Sequence, residues 1–246
     1  MSHFLCISCE ILARPLYLCA AKSPHVIDIH LNKRGLHDEP GKLRNSLQES
    51  IDSFDSSNYE AILLGYGLCG NSTIGLQARS IPLVIPRVHD CISLLLGSSE
   101  KYLNQFNQFP GTYWYSQDLL ERSDTSGKYS SLGADSNNDQ AEQFNTFVEK
   151  YGEDNAIYLM ETIKEWQSHY NRSVFIDTGL IDPKERIDLL EKDASTRGWK
   201  FEKITGELLI LKQLLAGEWK REPGDKFLIL SPGETIAAAF DGCIFQ

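Results

Sequence analysis

Apolar and polar positions change their period several times along this chain, and each change predicts an element. FLCIS at 4–8 is a short continuous apolar run, read as a buried strand ending near Cys9. HVIDIHL at 25–31 is a second strand of mixed polarity. Between them EILARPLYLCAA has a helical pattern that Pro15 can open but not occupy internally. GLHDEPG at 35–41 is a loop by its Gly and Pro content, and KLRNSLQESIDSF at 42–54 follows it with Leu43, Leu47, Ile51 and Phe54 at helical spacing. YEAILLGYG carries the strongest strand signal, an unbroken apolar run that suits a parallel sheet covered on both faces. IPLVIP at 81–86 is a fourth strand, expected after a helix beginning near Ser72. VHDCISLLLGS at 88–98 starts a further helix that Gly97 can end.

The alternation stops between 123 and 139, where Ser, Asp, Asn and Gly predict a linker or surface insertion. It resumes with two helical segments separated or kinked near Gly152. SVFIDT follows as a strand, then a helix with Pro183 in its first turn and Asp182 before it as a cap, then WKFEKITG, ELLILKQLLAGEW and KFLILSPG as strand, helix and strand. The pattern predicts an α/β protein of two Rossmann-like halves with mostly parallel sheets flanked by helices. The boundaries read 1–122 for the first half, 123–143 for a polar linker, and 144–246 for a helical segment plus the second half. A cleft between halves is the usual place for a ligand.

Composition supports a globular chain: 246 residues, 41% hydrophobic and 24% charged. The net charge of −10 argues against an extended nucleic-acid footprint, which needs clustered Lys and Arg. No apolar run approaches the roughly 20 residues needed to span a bilayer, and MSHFLCISCEIL lacks the features of a secretory signal. A cytoplasmic protein without membrane or nucleic-acid partners is the expectation. Its six cysteines, spread from position 6 to 243, are then thiols rather than a disulfide framework.

Three of those cysteines occupy one structural station. Cys9 follows the first predicted strand, Cys69 the third, and Cys91 the fourth by a few residues. The C-terminal strand ends of a parallel sheet form one edge, where such folds place their sites. Three convergent thiolates suit zinc or an iron–sulfur cluster and leave a coordination position for His89, Asp90, water or substrate. The plainer account, that the three are buried thiols or unrelated loop residues, stays beside it, as does a metal-free redox or nucleophilic cysteine. Cys6 is a reserve ligand, since CISC in an extended strand points its two sulfurs to opposite faces.

Other candidates surround this set. In GYGLCGNSTIG, amides and hydroxyls at Gly70, Asn71, Ser72 and Thr73 ahead of the expected helix could cradle an anion, or form a plain turn. In PRVHDC, Arg87 could pair with a small anionic substrate, His89 could ligate or shuttle a proton, and Asp90 could orient that imidazole or simply cap a helix. His37 lies on the GLHDEPG loop. Ser231 and Gly233 of LSPGET offer amides at a further expected strand end. Trp114, Tyr113 and Tyr115 line a pocket, anchor a lid, or form a buried strand.

ILLGYGLCGNSTIGL, IPLVIPRVHDCISLLLGSSEKY and FPGTYW, with the early ISCEIL and the later GLHDEPGKL, FIDTG, GEW and FLILSPGETI blocks, closely resemble the family called domain of unknown function 1638. The resemblance covers almost the whole chain and singles out Cys9, Cys69, Cys91, His37 and His89, leaving Cys6 and Cys19 incidental. The family name carries no activity. An association of some members with corrinoid-dependent methyltransferase systems implies methyl-group or sulfur metabolism. The combined expectation is a metal-dependent enzyme acting on a small anion. A non-catalytic metal- or corrinoid-associated delivery protein is the alternative.

Overall fold

A computed structural model describes residues 1–36, 39–122, 140–220, 222 and 225–239, with the main chain alone at 140–143, 146 and 163–168. The chain divides into two compact units. One holds Met1–Leu103, Thr178–Leu180 and Gly206–Gln246, and the other Asn104–Asp177 and Ile181–Thr205. The polar stretch 123–139 lies outside the described residues.

The first unit is built on a five-stranded sheet. Its strands are β1 (His3–Cys9), β2 (Val26–Asn32), β3 (Ala61–Gly65), β4 (Leu83–Pro86) and β8 (Phe227–Leu230), in the order β2-β1-β3-β4-β8. The first four run parallel and β8 runs antiparallel to β4, with Leu83 opposite Leu230 and Pro86 opposite Phe227. The fold is therefore α/β as the pattern predicted. The LILS strand, placed by sequence order in the second half, completes the first sheet.

All of β3 is buried because helices cover both faces. Helix α2 (Pro40–Ser53) turns Leu43, Leu47 and Ile51 inward, onto Leu5, Ile7, Ile62 and Leu64. Each such side chain, fully buried, is worth about 1.5–3 kcal/mol. Helices α1 (Ala13–Ala21) and α9 (Leu209–Leu215) pack together, and α9 sets Ile210, Leu211, Leu214 and Leu215 in the core. Helix α3 (Cys91–Leu96) is buried along most of its length and ends where Gly97 takes φ +73°, as its sequence suggests.

The helix expected at Ser72 does not form. Cys69, Gly70 and Asn71 have φ of +46°, +64° and +67°, and Gly75 has +91°, so residues 70–75 turn repeatedly instead of propagating a right-handed helix. Tertiary bonds hold this path: Leu68 and Cys69 amides donate to the Val88 and His89 carbonyls at 2.9 and 2.8 Å.

The second unit holds a parallel three-stranded sheet, β5 (Thr112–Ser116), β6 (Arg172–Asp177) and β7 (Lys200–Thr205), with β6 in the middle. Tyr113, Trp114 and Tyr115 are buried strand residues of β5. Helix α5 (Gln117–Arg122) follows β5 directly, and helix α6 (Gln140–Tyr151) and helix α7 (Glu153–Ser168) are separated by Gly152 at φ +83°, the expected break. Helix α8 (Lys184–Arg197) has Pro183 itself as its N-cap, and Asp182, one residue earlier than a cap, accepts from the Lys184 amide. Among the described residues no helix is long and apolar enough to cross a membrane.

Candidate functional site

The parallel strands of the first unit present their C-terminal ends along one edge. In register there, Cys9 of β1 stands opposite Asn32 of β2, and Ser8 opposite Gly65 of β3. Tyr66 follows Gly65, Cys69 comes three residues later, and the β4 exit carries His89, Asp90 and Cys91. Three cysteines from three strand ends thus belong to one edge. Cys9, Cys69 and Cys91 are half-buried thiols that form no disulfide.

Their electrostatics tie them together. Burial pushes the Cys69 thiol up to about 12, and the neighbouring Asp90 and Cys9 push the same way against the Gly67 backbone. Cys91 is raised well above the usual thiol range, first by burial, then by Asp90, Cys69 and Cys9. Cys69 and Cys91 therefore resist ionisation first through burial and then through their charged neighbours, Cys9 among them. A thiol in that state is a poor nucleophile. Cys6, wholly buried, is likewise pushed up to about 12 by burial.

The glycines of GYGLCG have separate tasks. A Cβ on Gly65 would lie 2.3 Å from the Ser8 Oγ, so Gly65 makes room for a buried serine whose hydroxyl donates to the Gly65 carbonyl. A Cβ on Gly67 would lie 2.6 Å from the Val88 carbonyl oxygen and 2.9 Å from the Asp90 nitrogen, so Gly67 lets the 66–69 and 88–91 loops touch. Gly70 has open space around it and serves by its left-handed backbone. Cys69 adopts that conformation without being glycine, a cost of roughly 1–2 kcal/mol for an L-residue.

The expected anion cradle is spent on the loop itself. Ser72 and Thr73 are fully buried, and their hydroxyls donate to the carbonyls of Cys69 (2.6 Å) and Gly67 (3.1 Å). The Ser72 amide also bonds the Cys69 carbonyl, while Gly70 and Asn71 are exposed, with the Asn71 carbonyl taken by Arg44. Ser231 and Gly233 are distant for a topological reason. Because β8 runs antiparallel, its C-terminal end sits beside the start of β4, at the opposite edge from the cysteines. There the Ser231 amide donates to Glu234 and the Gly233 amide to the Ala78 carbonyl.

Asp90 caps α3, its Oδ1 accepting from the Ile92 and Ser93 amides at 3.0 and 3.2 Å. Burial raises its pKa, opposed by the Ser93 amide, the Tyr102 hydroxyl and the Ile92 amide. Tyr102, on helix α4 (Ser99–Gln108), also sets its ring 5.8 Å from that of His89. Arg87 leaves β4 with its amide on the Lys226 carbonyl at 2.7 Å. His37 lies outside the described residues.

Two residues at the edge escape sequence reasoning. Asn32 and Tyr66 are 8% and 4% exposed, and neither the Asn32 Nδ2 nor the Tyr66 hydroxyl has a hydrogen-bond partner among the described residues. Burial raises the tyrosine well above its ordinary range, and after that Cys9, Cys69 and Cys6 push the same way, while the nearby Asn32 amide opposes without closing a bond of normal geometry. The station rule that picked the cysteines, applied to the end of β2, reaches Asn32.

As donors, three soft sulfurs suit zinc or an iron–sulfur cluster, and two orphaned polar hydrogens beside them suit an electron-rich ligand. Among the described residues no three or more His, Cys, Asp or Glu side chains already stand as a metal-holding group.

Neither the curated proteins nor the solved structures offer a match to this chain. Residues 31–215 match the model of the family described as "Protein of unknown function (DUF1638)", a stretch that runs from the last two residues of β2 through α9 and includes Cys69 and Cys91, and the chain belongs to that family.

Proposed function

We propose that this chain is a metal-dependent cytoplasmic enzyme whose centre, zinc or an iron–sulfur cluster, is held by Cys9, Cys69 and Cys91. It acts on a small anionic substrate, in methyl or sulfur transfer. The carrying observation is the convergence of Cys9, Cys69 and Cys91 from three strand ends on one sheet edge, close enough that Cys9 raises Cys69 and that Cys69 and Cys9 raise Cys91. The raised pKa values of Cys69 and Cys91 disfavour a thiol nucleophile working alone. A cation among them would reverse the balance, because it stabilises the thiolates that burial and mutual repulsion oppose. Zinc would supply Lewis acidity or activate a bound thiol or water, and a cluster would offer an iron site. Of this chain's own groups, His89 is the proton carrier, with its ring beside Tyr102, and Arg87 holds the anion.

A second reading, a protein that binds or delivers metal or serves a corrinoid methyltransferase, draws support from one observation. Asp90, Ser72 and Thr73 are all engaged in hydrogen bonds of the scaffold rather than left for chemistry.

Anaerobic purification followed by metal analysis and a visible spectrum tests the proposal. We expect stoichiometric zinc without colour, or iron with sulfide-to-iron bands. Serine at Cys9, Cys69 or Cys91 should abolish the loading, while serine at Cys19, a buried residue of α1, should not. A metal-free native protein, or undiminished metal in Cys69→Ser, would sink the proposal. Metal that passes to an acceptor protein without turnover would select the delivery reading.

A further inference from the structure

The orphaned pair at the cysteine edge points to the chemistry of what binds there. Asn32 ends β2 next to Cys9, and its Oδ1 already accepts weakly from the Ser50 hydroxyl at 3.4 Å, which leaves Nδ2 as the unused donor. Tyr66 follows β3 and lies within the electrostatic reach of Cys9 and Cys69. Closing the Asn32–Tyr66 pair would occupy only the tyrosine oxygen, and the hydroxyl hydrogen would still need an acceptor. Leaving such groups buried without a partner carries their full desolvation penalty. Native proteins rarely carry two side by side without a ligand, ion or water to answer them.

We propose that Asn32 Nδ2 and the Tyr66 hydroxyl form a donor pair for a small anion bound at the three-cysteine centre. This rests on the metal-centre reading and gives its ligand a class. The ligand is compact and acceptor-rich, and it is held between the metal and two neutral donors. Beside Arg87, which supplies the positive charge, neutral donors orient the anion without adding a second cation that would pair off with a cysteine. Direct charge-assisted bonds of this kind are among the stronger ones. Asn32 and Tyr66 are positioning residues.

The test uses the full-length protein loaded with cobalt(II), whose thiolate charge-transfer and ligand-field bands report the centre, with azide as the probe anion. Tyr66→Phe and Asn32→Leu should keep the cobalt stoichiometry and the charge-transfer band, but weaken azide binding roughly ten- to a hundredfold, the worth of one hydrogen bond to a charged group. Metal-free Tyr66→Phe should melt at or above the wild-type temperature, since the hydroxyl removed has no hydrogen-bond partner among the described residues. Unchanged azide affinity in both variants would overturn the donor pair while leaving the metal centre standing. So would a metal-free Tyr66→Phe that melts several degrees lower. A wild-type protein that takes up no cobalt would overturn the metal centre and this inference together.

Discussion

Replacing Gly67 by alanine should part the two loops that carry Cys69 and Cys91. The added Cβ would meet the Val88 carbonyl oxygen at 2.6 Å and the Asp90 nitrogen at 2.9 Å. A close carbon-to-oxygen contact is roughly 3.3 Å, so the backbones must separate by about 0.7 Å. Both obstacles are main chain, and no rotamer change relieves them. The separation strains two inter-loop bonds, Leu68 to Val88 and Cys69 to His89, each worth about 1 kcal/mol net and more if its groups stay buried unpaired. The expected cost is about 2–4 kcal/mol, or roughly 5–12 °C in the melting midpoint of a unit this size. Gly70→Ala is the comparison: open space surrounds that position, and only its left-handed φ is penalised, by roughly 1–2 kcal/mol. The assay is thermal unfolding of both variants, with the rate at which a chromogenic disulfide modifies the native thiols. Gly67→Ala should melt lower and modify faster at Cys69 and Cys91, whereas Gly70→Ala should melt slightly lower with unaltered thiol rates. A Gly67→Ala protein matching wild type in both measurements would refute the loop contact as the device that brings the two cysteines together.

Two further outcomes concern pH and the second unit. Cys6 has a folded pKa of about 12 against an ordinary 9.0, because burial disfavours its thiolate. The unfolded chain therefore releases its proton first, so this stability is intact below about pH 9 and declines as pH climbs toward the folded value. The linkage predicts a loss of about 1.4 kcal/mol between pH 8 and 10 from this thiol. Denaturant titration of the Cys6→Ala protein should show a correspondingly shallower alkaline decline, and an identical slope would contradict it. In the second unit Arg172 is 3% exposed, paired with Glu202, hydrogen-bonded to Gln105, and set 4.2 Å over the Phe109 ring. Arg172→Ala should lose about 2–3 kcal/mol through the hydrogen bonds and packing of the buried guanidinium, since Glu202 is 26% exposed and keeps Lys200, measured by chemical denaturation, and a loss below about 1 kcal/mol would show the contacts to be incidental. Lys200 and Arg172 hold the Glu202 carboxyl below its usual range. Their contribution is present above the unfolded carboxylate pKa and fades as pH falls through the lowered one.

The α/β class and most elements were legible because burial period writes itself directly into residue choice. AILL must be apolar throughout to sit between two helical layers, and Leu43, Leu47 and Ile51 must recur at helical spacing to reach one face of the sheet. Strand direction has no such signature: nothing in FLIL says that it runs against β4, and that one reversal moves Ser231 and Gly233 to the edge opposite the cysteines. The mistaken helix at Ser72 has a local cause. Ser and Thr after glycines read as caps, yet here their hydroxyls bond backward to Gly67 and Cys69, a competing use of the same side chains. The cysteine station was readable because strand ends in a parallel sheet share an edge, and the same logic reaches Asn32. Tyr66 was hidden by its glycine neighbours, which advertise a turn and say nothing of the aromatic between them.

The backbone at Cys69 is the strongest physical reason to treat that edge as more than packing. If the thiol only filled space, glycine or asparagine would hold φ +46° with less strain, and Asn71, two residues later, shows that the loop uses such a residue where nothing else is asked of it. The surroundings enforce the conformation at Cys69 from both sides: its amide is tied to the β4 exit, and its carbonyl accepts from both the amide and the hydroxyl of Ser72. A side chain kept in a strained position, desolvated, and pushed upward by Cys9 and Asp90 is destabilised three ways at once. Strain of that kind persists where the surrounding structure over-determines it, typically at ligand clamps and active sites. Two of those penalties, desolvation and like-charge repulsion, oppose only the thiolate, and a bound cation offsets both. A metal at that edge would therefore relieve the penalties on the thiolate at a position where the loop already holds a non-glycine backbone at positive φ.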